Sequence, residues 1–307
     1  MFQFHFFRRQ MIACLALMLL PGVSLWAAEG WQAGVAKVKV TPTVAMPMAG
    51  YGSRGNDHSE GTLNDLWVKA LVLQDAEGHR GLLVTMDLCG IGRDLSQTLR
   101  QQIGQRLNLK PNEILFSTSH THSGPVVGKY LKPLHFLQLN AADQQLVNEY
   151  EEQLAKKVVD CAAEAAAALK PSRLSHGSGH VTFATNRRNN PAGDVLNRRA
   201  AGTIVGPADY SVPVLAIHQQ DKLVATIFGY ACHCTVLSGM QFSGDYAGFA
   251  QEALEAAHPD CTAMFWAGCG ADQNPLPRGT TDFAEQYGQD LADGVQRVLD
   301  GVLRPIE

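Results

Sequence analysis

The chain has 307 residues, 46% of them apolar, with 25 Lys and Arg against 29 Asp and Glu for a formal charge of −4. That apolar content can fill a globular core and is far from a disordered composition. The slightly acidic balance offers no basic field for a polyanion, which excludes nucleic acid as the expected partner, and no obligate protein partner is signalled.

The first 28 residues read as an export signal. Arg8 and Arg9 supply the positive start, 11–20 the apolar stretch, Pro21-Gly22 its break, and 24–28 the small residues of a cleavage site. The apolar stretch is shorter than the ~20 residues a bilayer span needs. Arg8-Arg9-Gln10-Met11-Ile12 weakly resembles a twin-arginine signal. The mature chain, 29–307, is expected in the periplasm or outside the cell. Its length suits one large α/β domain. Six cysteines remain there (Cys89, Cys161, Cys232, Cys234, Cys261 and Cys269). Their spacing shows no zinc-knuckle pattern, so most read as small buried residues, with a Cys234–Cys269 pair left open.

In chain order, 31–40 alternates as a strand and 46–61 is a Gly-rich polar loop. Strands at 66–74 and 81–87 flank the turn Asp75-Ala76-Glu77-Gly78. Asp94 can cap a helix running to 107, and 114–116 is a buried strand. The longest helix spans 141–169, with a stripe of Leu146, Tyr150, Leu154, Val158 and Val159 and a close-packing Ala run at 162–168. A hairpin-like segment follows at 174–184, then a long polar loop at 189–210. Strands at 212–218 and 223–230 form a second hairpin. A helix at 245–258, a strand at 262–266 and a last helix at 281–302 complete the chain. Hairpins mixed with helices predict an α/β fold of mixed β-sheets covered by helices.

Polar clusters follow four of these strands: Asp87, His120 with His122, His233, and Asp272 with Asn274. If the strands share a sheet and a direction, the clusters meet at the strand C-terminal ends, where such folds place their sites. In Ser119-His120-Thr121-His122-Ser123-Gly124-Pro125 two imidazoles one residue apart would share a side of an extended backbone. Neutral imidazole is the commonest zinc ligand, and together with His120, His233 becomes a candidate second ligand for the same ion. A catalytic zinc with an open position activates water near neutral pH. Arg187 and Arg188 open the long loop, where a guanidinium could hold a substrate oxygen.

These pieces, in this order, resemble the neutral/alkaline (non-lysosomal) ceramidase family. The matching segments are Met48-Ala49-Gly50-Tyr51-Gly52, Ser119 through Pro125, Asn186-Arg187-Arg188, Ala231-Cys232-His233, Ser243-Gly244-Asp245 and 268–275. The resemblance implies a zinc-dependent amidase that cuts N-acylsphingosine, or a related N-acyl lipid, into a fatty acid and an amine by metal-bound water. The substrate would be a lipid amide, presented at a membrane surface. It implies that His120 and His233 bind zinc and that His122 faces the substrate. Arg187 would bind the substrate, and Gly50 would lie at the pocket mouth.

Two departures stand out. Asn274 occupies the place of a family serine before Pro275; its amide could donate to an oxyanion, and with Asp272 it joins His122 and Arg187 as a catalytic candidate. The family's glutamate and tyrosine ligands come from a region beyond this length, so the sequence is expected to be an N-terminal portion. Asp245, Asp272 and Glu285 are the acidic candidates in their stead. The alternative expectation is a catalytically inactive binding domain. Unrelated metallo-β-lactamase and amidohydrolase sites also open on His-x-His, but the residues after His122 and the position of the pair in the chain fit neither.

Overall fold

The computed structural model describes residues 30–307, so the export signal expected at 1–28 lies outside the described residues. Among the described residues, no helix is long and apolar enough to cross a membrane. The elements run β1 (Gln32–Lys39), β2 (Gly61–Thr62), β3 (Trp67–Gln74), β4 (Arg80–Met86), α1 (Arg93–Leu107), β5 (Ile114–Thr118) and α2 (Ala141–Ala167). They continue through β6 (Lys170–Pro171), β7 (Arg173–His180), β8 (Ala184–Asn186), α3 (Val195–Ala200), β9 (Ser211–Gln219), β10 (Lys222–Tyr230) and β11 (Gln241–Phe242). The last are α4 (Asp245–Ala257), β12 (Thr262–Ala267), β13 (Gln273–Pro275), α5 (Thr281–Leu299) and β14 (Arg304–Ile306).

Two five-stranded mixed sheets, ordered β5-β4-β3-β1-β6 and β12-β10-β9-β7-β14, lie face to face. Strand parity sorts the layers. In β3, Val68, Ala70 and Val72 face α1 and α2, while Leu71 faces the second sheet. In β12, Ala263 and Phe265 pack toward α4 and α5, while Met264 faces the first sheet. The result is four layers, helix–sheet–sheet–helix. Close approach of α2 to β1 relies on Gly34, where a methyl would overlap the Ala165 carbonyl of the Ala-rich run.

The halves share one topology, which no sequence repeat announces. In each, an antiparallel hairpin (β3–β4, β9–β10) leads through a helix (α1, α4) to a strand parallel to the hairpin's second member (β5, β12). These crossovers bring the C-terminal ends of β4, β5, β10 and β12 together. The expectation of one shared sheet is therefore corrected: two strand ends come from each sheet, because each hairpin-plus-crossover unit completes its own.

Three local expectations also change. Gly92 is the N-cap of α1, and Asp94 sits inside the first turn, where its charge favours the helix dipole. Segment 174–184 is not a hairpin; β7 pairs with β9 and β14 while β8 pairs with β13, because Gly177 and Gly179 let α5 lie on β7. The six cysteines are free, so Cys234 and Cys269 are not joined; the first is buried and the second exposed.

One buried cation ties the layers. Lys69, 2% exposed between the sheets, donates from Nζ to Glu255 Oε1 at 2.7 Å and to the Ala263 carbonyl at 2.7 Å. Glu255, on α4, also accepts from Lys37 at 2.6 Å and from the Ala263 amide at 3.1 Å. Removing one partner of a buried pair leaves an uncompensated charge. Glu255→Gln is expected to destabilise the fold by about 3 kcal/mol in urea unfolding. Lys69→Met should cost clearly less, because Glu255 keeps Lys37.

Candidate metal centre and substrate pocket

Beyond β5 the backbone does not stay extended. His120 adopts φ +60, and the Ser119 and His120 amides donate to the carbonyls of Met86 and Leu88 at 2.9 and 3.0 Å. The His-x-His pair therefore sits on a turn and not on a strand, and the turn brings the two rings to one point. Left-handed backbone at a non-glycine residue is strained, and such residues concentrate at functional sites.

The His120 Nδ1–H donates to the Cys89 carbonyl at 2.6 Å, leaving Nε2 with its lone pair. Across the interface, His233 is held the same way. Its Nδ1–H donates to the Gly270 carbonyl at 2.8 Å, and its amide donates to the Gln273 carbonyl at 3.1 Å. Ring centroids of His120 and His233 lie 5.0 Å apart. Two imidazoles on one tetrahedral zinc place their centroids about 5 Å apart. Burial lowers the pKa of His233, which keeps its ring neutral as a ligand requires. The donor set thus fits a divalent ion.

His122 differs from both. Its Nε2 lies 3.3 Å from His120 Nε2, yet its Nδ1 is buried with no partner. Ligating histidines normally donate their second N–H to a neighbour, so His122 lacks the support the other two have. Burial first, then His120, His233 and the arginines Arg54 and Arg187, push its pKa down to about 3. Cys89 Sγ, although 3.8 Å from His120 Nδ1, sits on the side of the ring already tied to a carbonyl. Burial also pushes its pKa up to about 12. Its Sγ nevertheless lies within 4.8 Å of ligand atoms of His120 and His122, so the thiol is a further candidate ligand, its proton released if an ion binds.

Gly50 forms the wall against His122. At φ +98 its backbone lies where a methyl would overlap the imidazole, and its amide donates to His135 Nε2 at 3.1 Å. The Tyr51 ring stands edge-on to His122, with centroids 4.8 Å apart. Arg54, which stands in a polar loop with no motif to mark it, underpins this corner. It is buried without a carboxylate, donating to the carbonyls of Ala49, His122 and Gly239 at 2.8, 2.5 and 2.7 Å.

Arg187 enters from the second half. β8 pairs with β13 in register Asn186↔Gln273, so the Asn-Arg and Asp-Gln-Asn-Pro segments form one small sheet. The Arg187 amide donates to the Asp272 carbonyl at 2.8 Å, and Asn186 Nδ2 donates to Asp272 Oδ2 at 3.0 Å. The half-buried guanidinium keeps an unpartnered Nε, and its charge acts on both His122 and His233. Asn274 is buried, accepting from Thr235 Oγ1 at 3.5 Å beneath the loop that follows His233.

Two of the remaining acidic side chains, Asp87 and Asp245, hold the frame. Asp87 accepts from the Trp67 amide and from Gln251 Nε2, both at 3.0 Å. Asp245 accepts from the amides of Val236, Leu237 and Tyr246, and burial raises its pKa to about 6. Glu285 is exposed on α5. Gly50→Ala, which must displace the His122 ring, is expected to destabilise the protein by about 2 kcal/mol in urea unfolding and to shift the His122 ring resonances in NMR spectra.

A family model described as "Neutral/alkaline non-lysosomal ceramidase, N-terminal" matches residues 31–269. Neutral ceramidase A of Dictyostelium discoideum is 24% identical over 233 residues, covering 72% of this chain and 29% of that protein. Neutral ceramidase of Pseudomonas aeruginosa is 25% identical over 234 residues, covering 72% of this chain and 33% of that one. The chain thus spans a third or less of these relatives. The crystal structure of neutral ceramidase from Pseudomonas aeruginosa superposes with a TM-score of 0.74 at 20% identity, over 90% of this chain and 46% of that one, which shows a shared fold. A structure titled as ceramidase complexed with C2 aligns with the same score. The chain belongs to the neutral/alkaline non-lysosomal ceramidase family, matching its N-terminal domain.

Proposed function

We propose that this chain is an exported zinc-dependent hydrolase of linear amides, acting on N-acylsphingosine or a related N-acyl lipid, with His120 and His233 holding the ion. The observation that carries the reading is the matched pair of Nδ1-to-carbonyl bonds, which leave the Nε2 atoms of His120 and His233 unprotonated on rings whose centroids lie 5.0 Å apart. A divalent ion there would polarise a carbonyl oxygen and acidify a bound water.

The chain's own groups have separate tasks in this account. The Arg187 guanidinium binds the amide oxygen, and Asp272, through Asn186 and the Arg187 amide, holds that arginine in place. The neutral His122 ring, beside His120, faces the substrate, where it orients it or passes a proton. Asn274 stands where the family has a serine; it has no nucleophilic oxygen, and its amide is the group available to a developing oxyanion. Gly50 keeps the pocket mouth open beside His122.

Metal analysis of purified protein tests the reading. Zinc near one equivalent is expected in the wild type, falling at least about tenfold in affinity in His120→Ala and in His233→Ala. Release of fatty acid from a fluorogenic N-acylsphingosine should require zinc and fall at least about a hundredfold in Arg187→Ala. Wild-type protein that binds no zinc, or undiminished zinc in His120→Ala, would refute the proposal.

A further inference from the structure

The histidine cluster stands in a one-sided field. The titratable groups that act most on His122 are His120, His233, Arg54 and Arg187, and on His233 they are His120 and Arg187; none is a carboxylate. Among the described residues the arginines in salt bridges are Arg106, Arg173 and Arg198, so Arg54, Arg187, Arg188 and Arg278 have no carboxylate partner. Two of these guanidiniums keep a buried Nε without a hydrogen bond, Arg54 from the first half and Arg187 from the second. Cations buried without an anion are costly, and their presence calls for a reason.

Arg278 joins them across one loop, residues 235–239, which follows His233. From the second half, Arg278 Nη1 donates to Thr235 O at 3.2 Å and the Gly279 amide to Val236 O at 2.9 Å. From the first half, the Tyr51 hydroxyl donates to Leu237 O at 3.2 Å and Arg54 Nη2 to Gly239 O at 2.7 Å. The Arg278 charge reaches Arg187 and also Tyr51, the ring that stands edge-on to His122. Burial first, then Arg188 and Arg278, hold the Arg187 guanidinium below its usual pKa, and Asp272 offsets them less. The two acids that these arginines reach are already engaged: Asp272 accepts from Asn186 Nδ2, and the buried Asp245 accepts from three backbone amides.

We propose that the amide ligand of this site carries a carboxylate on its amine side, as an N-acyl amino acid does, and that Arg278 is the residue that selects it. Arg187 takes the amide oxygen, and the exposed Arg278 guanidinium meets the carboxylate by charge-assisted hydrogen bonds. The positive field from Arg54, Arg187 and Arg188 favours the same anion. The inference rests on the amide reading above, but it concerns binding, which needs neither zinc nor turnover, so the two can fail separately.

Calorimetric titration of the zinc-free full chain with N-octanoylglycine and with N-octanoylethanolamine tests it. The two ligands share the acyl chain and the amide and differ in the carboxylate. Leaving zinc out removes a metal–carboxylate bond as the cause of any preference. The wild type should bind the acylglycine at least about tenfold more tightly, and added salt should narrow that ratio. Arg278→Gln should weaken the acylglycine at least about fivefold and the ethanolamide far less, at the wild-type unfolding midpoint, and Arg278→Lys should restore part of the loss. Equal affinities, no measurable binding of the acylglycine, or a ratio that Arg278→Gln leaves unchanged would overturn the proposal. A preserved ratio without zinc-dependent hydrolysis would uphold it and sink the hydrolase reading alone.

Discussion

Two hydrogen bonds, one in each half of the molecule, set the chemistry of the site. By donating Nδ1–H to the Cys89 carbonyl, His120 is fixed in the tautomer that leaves Nε2 bare, and His233 is fixed likewise by Gly270. Imidazoles held in this way are already oriented, so a cation bound between them would meet a smaller ordering cost. The third ring, His122, stands against them without such an anchor, its pKa lowered by burial and by the charges around it. The same cluster thus contains two kinds of histidine, distinguished by what the second nitrogen touches.

The four-layer fold explains how residues more than a hundred positions apart reach one point. Each half builds its own sheet, and each sheet ends a parallel strand pair at the same seam. Backbone bonds stitch the seam: the His122 amide donates to Cys234 O at 3.1 Å and the Ser243 amide to Ser123 O at 2.9 Å. Behind it, the buried Lys69 joins the first sheet to α4. The histidine cluster is therefore a property of the interface between halves, and changes in sheet packing should be felt there.

Much of this was legible from residue patterns. The alternating strands, the long striped helix α2 and the second hairpin lie within a few positions of their expected bounds, because their apolar periodicity matches the layers that bury them. His120, His122, His233 and Arg187 stood out because they follow strands in an order shared with a family, and the fold brings the three rings together with the Arg187 charge acting on two of them. What the pattern hid was geometric. The two-sheet division and the turn at His120 depend on contacts between distant segments, and Arg54 stands in a polar loop with no periodicity to mark a buried cation. Asp87 and Asp245 carried the same strand-end and helix-start signals as functional residues, yet they satisfy backbone amides instead.

The most direct test of the central claim is X-ray absorption at the zinc edge of the zinc-loaded protein. The account predicts scattering from two imidazoles at about 2.0 Å, retained in His122→Gln and reduced to one in His233→Gln. A spectrum without imidazole scattering, or one that His233→Gln leaves unchanged, would contradict it.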